Sequence, residues 1–153
     1  MVATGAIAPD FTLPRDGGAT LTLSVLRPGK VVLYFYPKDD TPGCTLEAQD
    51  FTARLADFTA AGTTVIGVSK DSVKAHDKFC RKHGLGIALV SDETGHTCED
   101  YGTWVEKSMY GKTYMGVERT TFLIDGTGKV AQVWNKVSVK GHADEVLAAV
   151  RAL

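Results

Sequence analysis

The sequence predicts an α/β domain, a mixed central sheet flanked by helices with an N-terminal β-hairpin. Three observations carry this. Val31 to Tyr36 and Thr64 to Val68 are almost wholly apolar and rich in β-formers, as expected of strands buried on both faces. Each run is followed by a stretch of helical periodicity. The chain then finishes with two strand-like runs, a turn between them, and an amphipathic segment.

From the N-terminus, Phe11-Thr12-Leu13 and Leu21-Thr22-Leu23 alternate around the turn-prone Arg15-Asp16-Gly17-Gly18, which reads as a hairpin. Pro28-Gly29-Lys30 leads into the Val31–Tyr36 strand. Pro37 to Gly43 breaks that run, and a helix is expected from Pro42 to about Ala61, with Leu46, Phe51, Leu55 and Phe58 as its apolar stripe and Gly62 as its stop. After the Thr64–Val68 strand, Asp71 or Ser72 caps a helix reaching His83 and ending at Gly84. Ala88-Leu89-Val90 is a short strand, and Glu93 to Tyr101 a further helix. Residues 102 to 118 contain glycines and little periodicity, and read as a long loop of functional character. Thr120 to Ile124 and Val130 to Trp134 form strands around Asp125-Gly126-Thr127-Gly128. Ala143 to Ala152 is the last helix. Strands alternating with helices, then a hairpin plus helix, make a thioredoxin-like layout the natural expectation.

The 153 residues suit one domain, spanning 1–153, with a substantial core. The composition is 44% hydrophobic and 23% charged, so disorder is not expected. Seventeen basic residues balance eighteen acidic ones without a basic block, which gives nucleic acid binding no electrostatic support. The N-terminus has no basic, apolar secretory pattern, and the longest apolar run, Val31 to Tyr36, is far too short to span a bilayer. A cytoplasmic protein is expected, with no membrane partner.

Three cysteines, Cys44, Cys80 and Cys98, form no C-x-x-C pair. A structural zinc site is therefore not expected, and neither is a static disulfide framework in a reducing compartment. The absent C-x-x-C also argues against a disulfide oxidoreductase.

The informative stretch is Pro37-Lys38-Asp39-Asp40-Thr41-Pro42-Gly43-Cys44-Thr45, which leaves a buried strand and enters a helix. Proline is well tolerated at the first helical position, which puts Thr41 at the N-cap and Cys44 in the first turn. A thiol there meets unpaired backbone N–H groups and the positive end of the helix dipole, and both favour thiolate. This arrangement suits peroxide reduction. A thiolate attacks one peroxide oxygen while the other takes the bonding electron pair. First-turn N–H groups and the Thr41 hydroxyl serve as donors, Pro37 as a shield, and Arg119, just before the Thr120 strand, as a cation. No metal or cofactor is needed. His76, His83, His96 and His142 show no spacing with Cys44 that suggests a base. Gly111-Lys112-Thr113 lacks the upstream glycine of a phosphate loop. Trp104 and Trp134 read as packing residues.

The pattern Pro37-x-x-x-Thr41-x-x-Cys44 resembles the active-site signature of peroxiredoxins, and Phe35 to Glu47 resembles the bacterioferritin-comigratory, or Q-type, subfamily. Further matches run through Ala8-Pro9-Asp10-Phe11, Gly67-Val68-Ser69-x-Asp71, Glu106 to Lys112 and Arg119-x-Thr121-Phe122-Leu123-Ile124-Asp125. The resemblance implies a thioredoxin-like fold, a peroxidatic Cys44, and a peroxide pocket shaped by Pro37, Thr41 and Arg119. Glu47 matches a position that orients the arginine; beside Cys44 an acid makes sense only next to a cation.

The resemblance also implies a resolving thiol. In many Q-type members it lies five residues after the first cysteine, where this chain has Gln49. In another form it lies on the following helix, where this chain has Cys80. Cys80 would then close an intramolecular disulfide, reopened by thioredoxin or a similar dithiol protein. Cys80 also shares a helical face with Val73 and His76, and the alternative is a buried thiol acting as a small hydrophobe. Cys98, two residues after His96, reads as structural. Hydrogen peroxide and small organic hydroperoxides are the implied substrates, and a monomer is the implied state. The same Cys44 would also serve a peroxide sensor or a redox-regulated binding module.

Overall fold

The computed structural model describes residues 1–153. A hairpin of β1 (Thr12–Pro14) and β2 (Thr20–Thr22) precedes a short 3-10 turn at Leu23–Leu26. The central sheet follows with β3 (Lys30–Phe35), β4 (Thr63–Ser69), β5 (Ala88–Ser91), β8 (Thr120–Ile124) and β9 (Val130–Trp134), in the order β5-β4-β3-β8-β9. β3, β4 and β5 run parallel, while β8 and β9 are antiparallel. This is the mixed sheet the sequence predicts.

Every residue of β3 from Val31 to Phe35 is buried, because alternate side chains enter two different cores. Val31, Leu33 and Phe35 face the hairpin side, with Phe11, Leu13, Leu21 and Tyr101. Val32, Tyr34 and Tyr36 face the helices α1 (Pro42–Ala53), α2 (Leu55–Ala60), α3 (Val73–His83) and α5 (His142–Ala152). Tyr34 stacks on Phe51 with centroids 4.8 Å apart. Gly67 makes room for it, since a Cβ there would lie 2.8 Å from the Tyr34 hydroxyl oxygen.

Four expectations are corrected. The helix expected from Pro42 to Ala61 is two helices, broken at Arg54, whose side chain turns to the Asp50 carbonyl and to Asp144 of α5. Leu46 is no part of its stripe; it is exposed, while Phe51 and Phe58 are buried. The helix expected from Glu93 shrinks to α4 (Thr97–Asp100), because the buried Asp92 carboxylate accepts the N–H groups of Thr97 and Cys98 and fixes the start there. Residues 102 to 118 are mostly not a loop. They form a hairpin of β6 (Trp104–Met109) and β7 (Lys112–Val117), closed by Tyr110 and Gly111 at φ 51° and 77°. Positive φ at both turn residues matches the strand twist, and glycine takes the second position without strain.

Candidate active site

β3 ends at the sheet's centre and hands the chain to a loop that starts α1. Pro42 opens the helix, Thr41 is its N-cap, and Cys44 lies in the first turn, only 2% exposed. The Thr41 side chain does not cap the helix, nor is it the donor expected from the sequence: its hydroxyl donates to the Lys38 carbonyl at 2.8 Å, which leaves its lone pairs free to accept. Pro37 is exposed in this loop.

Arg119, just before β8, reaches across to α1. Its Nη2 donates to Cys44 Sγ at 3.3 Å and its Nη1 to Glu47 Oε1 at 2.6 Å. β8 pairs with β3, so the sheet itself brings the arginine beside the helix that follows β3. A Cβ on Gly43 would come to 3.2 Å from Nη2, so glycine leaves space for the guanidinium. Glu47 is 1% exposed and its second oxygen has no partner. Burial pushes its carboxyl up to about 7, against the opposing pull of Arg119. The arginine thus joins a sulfur and a carboxyl that would otherwise repel as anions.

Cys80 lies near the end of α3 and is partly exposed, at a surface hollow lined by Asp16, Lys74, Asp77 and Arg81. Burial, then the charges of Asp16, Asp39 and Asp77, push its thiol up to about 12. Its carbonyl accepts the N–H groups of Gly84, in the left-handed conformation, and Leu85. Cys98 is buried, and burial followed by Asp92 holds its thiol well above the ordinary value. All three cysteines are free thiols, and Gln49 is exposed on α1. No group of three or more His, Cys, Asp or Glu side chains is placed to hold a metal ion.

Sequence reasoning missed a clasp between the Cys44 loop and α3. Asp39 accepts from His76 at 2.6 Å and from the Tyr36 hydroxyl at 2.6 Å, all buried. The other His76 nitrogen faces the Val90 carbonyl at 2.9 Å. Burial opposes charge on this ring, but Asp39 outweighs it and raises the histidine's pKa. One residue on, Asp40, at φ 58°, accepts from Lys82 at 2.7 Å and His83 at 2.8 Å. The sequence signal was the acidic pair between Pro37 and Thr41, opposite a helix ending in Arg81-Lys82-His83.

Residues 4–133 match the AhpC/TSA family. The chain belongs to that family, as a peroxiredoxin of the bacterioferritin-comigratory or Q-type kind. This peroxiredoxin is 50% identical over 143 residues to peroxiredoxin Bcp of Xanthomonas campestris, covering 94% of this chain and 89% of that one. It is 45% identical over 146 residues to peroxiredoxin Bcp of Bacillus subtilis, covering 95% and 93%. A solved structure of X. campestris peroxiredoxin Q superposes with a TM-score of 0.91 at 48% identity, over 99% of this chain and 96% of that one. The thioredoxin-like peroxiredoxin fold expected from the sequence is the one observed.

Proposed function

We propose that this thiol-dependent peroxidase attacks peroxide with Cys44 and resolves the product with Cys80. The observation that carries the reading is the Arg119 guanidinium held against Cys44 Sγ by Glu47 at the N-terminal turn of α1. The thiolate attacks one peroxide oxygen and becomes sulfenic acid. The O–O bond breaks, and the departing oxygen leaves as water or alcohol after taking a proton. Arg119 and the first-turn N–H groups favour the charge as it shifts from sulfur to oxygen. The Thr41 hydroxyl, whose own proton is engaged by Lys38, accepts from the incoming peroxide O–H. Pro37, exposed in the loop before α1, is assigned the shielding role that the family resemblance implies.

The Cys80 thiol then displaces the sulfenic oxygen as water, forming the Cys44–Cys80 disulfide. A disulfide needs Cα atoms roughly 4.4–6.8 Å apart, so we expect the first turn of α1 and the end of α3 to unwind in each cycle. Two relatives' properties support the reading. The X. campestris bacterioferritin comigratory protein has alkyl peroxide reduction activity. That organism's peroxiredoxin Q has been solved as two single cysteine-to-serine variants whose positions stand as far apart as Cys44 and Cys80. A dithiol reductant of the thioredoxin kind, in a reducing cytoplasm, reopens the disulfide, and a single subunit suffices. No helix is long and apolar enough to cross a membrane.

The test is peroxide turnover with a thioredoxin system. Cys44→Ser is expected to abolish it. Cys80→Ser is expected to leave Cys44 oxidisable once and to stop recycling through a disulfide. A Cys80→Ser protein turning over at the full rate would remove Cys80 from this role.

A further inference from the structure

The hairpin β6–β7 carries a cation that the reaction described above does not use. Lys107, in β6, is half-buried, and its Nζ donates to the Val117 carbonyl at 2.6 Å. The side chain gets there by crossing Gly116: a Cβ at that glycine would lie 3.2 Å from Lys107 Cδ and 3.5 Å from Cε. Glycine in β7 is therefore a passage for the lysine stem. Val117 is the last residue of β7, two before Arg119. Glu118 between them is tied to the Thr103 carbonyl by its N–H at 2.8 Å. The segment delivering Arg119 to Cys44 is thus held at Val117 by Lys107 and at Glu118 by Thr103, just before β6.

Lys107 makes no ion pair with any carboxylate, although seven such pairs of lysine or arginine occur elsewhere in the chain. A half-buried ammonium without a carboxylate is costly unless another anion compensates it. Burial and the charge of Arg119 act against the Lys107 proton, while the negative groups acting for it are Glu118 and Cys44. The lysine's bond to Val117, two residues before the arginine that touches Cys44 Sγ, brings its charge to the segment that serves the sulfur. With Glu47 buried and engaged by Arg119, the anions left to this pair of cations are Glu118, next to Val117, and the Cys44 thiolate.

We propose that Lys107 is a positioning residue of the Cys44 site, fixing the Val117–Arg119 segment through its hydrogen bond and favouring the Cys44 anion through its charge. The inference rests on Cys44 as the attacking thiolate. Like charge on Lys107 and Arg119 is offset by Glu118 and by the negative sulfur that Arg119 touches; oxidation of that sulfur to neutral sulfenic acid removes part of the compensation. The hairpin is then less firmly held in the oxidised protein.

The test is the pH profile of Cys44 oxidation by hydrogen peroxide in the parent, Lys107→Gln and Lys107→Arg. Glutamine keeps an N–H donor for Val117 and removes the charge. The acidic limb should move up by about 0.5 to 1 in pH for Lys107→Gln, and the rate on that limb should fall about three- to tenfold. Lys107→Arg should restore the profile to within about twofold. Raising the salt concentration should shrink the gap between parent and Lys107→Gln. Superposable profiles for parent and Lys107→Gln would overturn the proposal. So would an equal loss at all pH values in both variants, which would leave only a packing role. A parent protein whose Cys44 does not react with peroxide would instead overturn the reading of Cys44 itself, and this inference with it.

Discussion

Cys44 sits in the first turn of α1, at the positive end of a helix dipole, and Cys80 sits in the last turns of α3, at the negative end of another. The first has a guanidinium on its sulfur at 3.3 Å; the second is acted on by Asp16, Asp39 and Asp77, with Arg15 opposing them more weakly. The first is shut away from solvent, while the second borders a surface hollow. Two identical side chains are thus given different electrostatic surroundings by placement alone. With its thiol pushed up to about 12, Cys80 in the folded helix is held protonated at neutral pH. Release from its helix would lower that pKa towards the free thiol's ordinary value and raise the thiolate fraction. Unwinding therefore does two jobs: it brings the second sulfur within reach and it makes that sulfur nucleophilic.

The sharpest way to break this contrast is to remove the cation from one side of it. Arg119→Met deletes the charged donor on Cys44 and leaves Glu47 buried and unpaired. Oxidation of Cys44 by peroxide should slow about 100-fold, measured by rapid-mixing kinetics. A loss under threefold would mean that the helix terminus alone activates the sulfur.

Glu47 offers a pH test of the same site. Burial raises its carboxyl to about 7 from 4.5, so the folded protein holds a proton that the unfolded chain releases. Stability from this source is full below about 4.5 and is lost as pH rises through about 7. Glu47→Gln should flatten that dependence. Compared with the parent, the variant should gain on the order of 1–3 kcal/mol between pH 5 and pH 8, read from denaturant unfolding at both. An unchanged difference between the two pH values would mean that Glu47 is ionised in the folded protein throughout.

A smaller effect is expected on the Cys80 side. Asp40→Asn removes two exposed pairings, to Lys82 and His83, that hold the Cys44 loop against the end of α3. Exposed pairs contribute little each, so disulfide closure after oxidation should speed up only about two- to fivefold. A slower closure would mean that the clasp guides Cys80 towards Cys44.

How far this was legible in the sequence depends on where each element hides its apolar groups. β3 and β4 could be read from Val31 to Tyr36 and Thr64 to Val68, because strands buried on both faces leave a continuous apolar run. β6 and β7 could not, because they are largely exposed and their periodicity carries no apolar alternation; only Tyr110-Gly111 marked the turn. The juxtaposition of Thr41, Pro42 and Cys44 followed from local helix-start chemistry. Arg119 could be placed near Cys44 by the family signature, but its bond to Glu47 depends on β8 lying beside β3. The Asp39–His76 pair and the Lys107–Val117 bond lie further from any local rule. Each joins residues on different elements, and no spacing within either element announces the other.

The most direct test of the central claim is a disulfide map of the reduced protein after one equivalent of hydrogen peroxide, by mass spectrometry of non-reduced digests. A Cys44–Cys80 disulfide with Cys98 still a free thiol is the predicted result. Recovery of Cys44 as a sulfenic or sulfinic acid with Cys80 untouched, or of a bond between Cys44 and Cys98, would contradict the account.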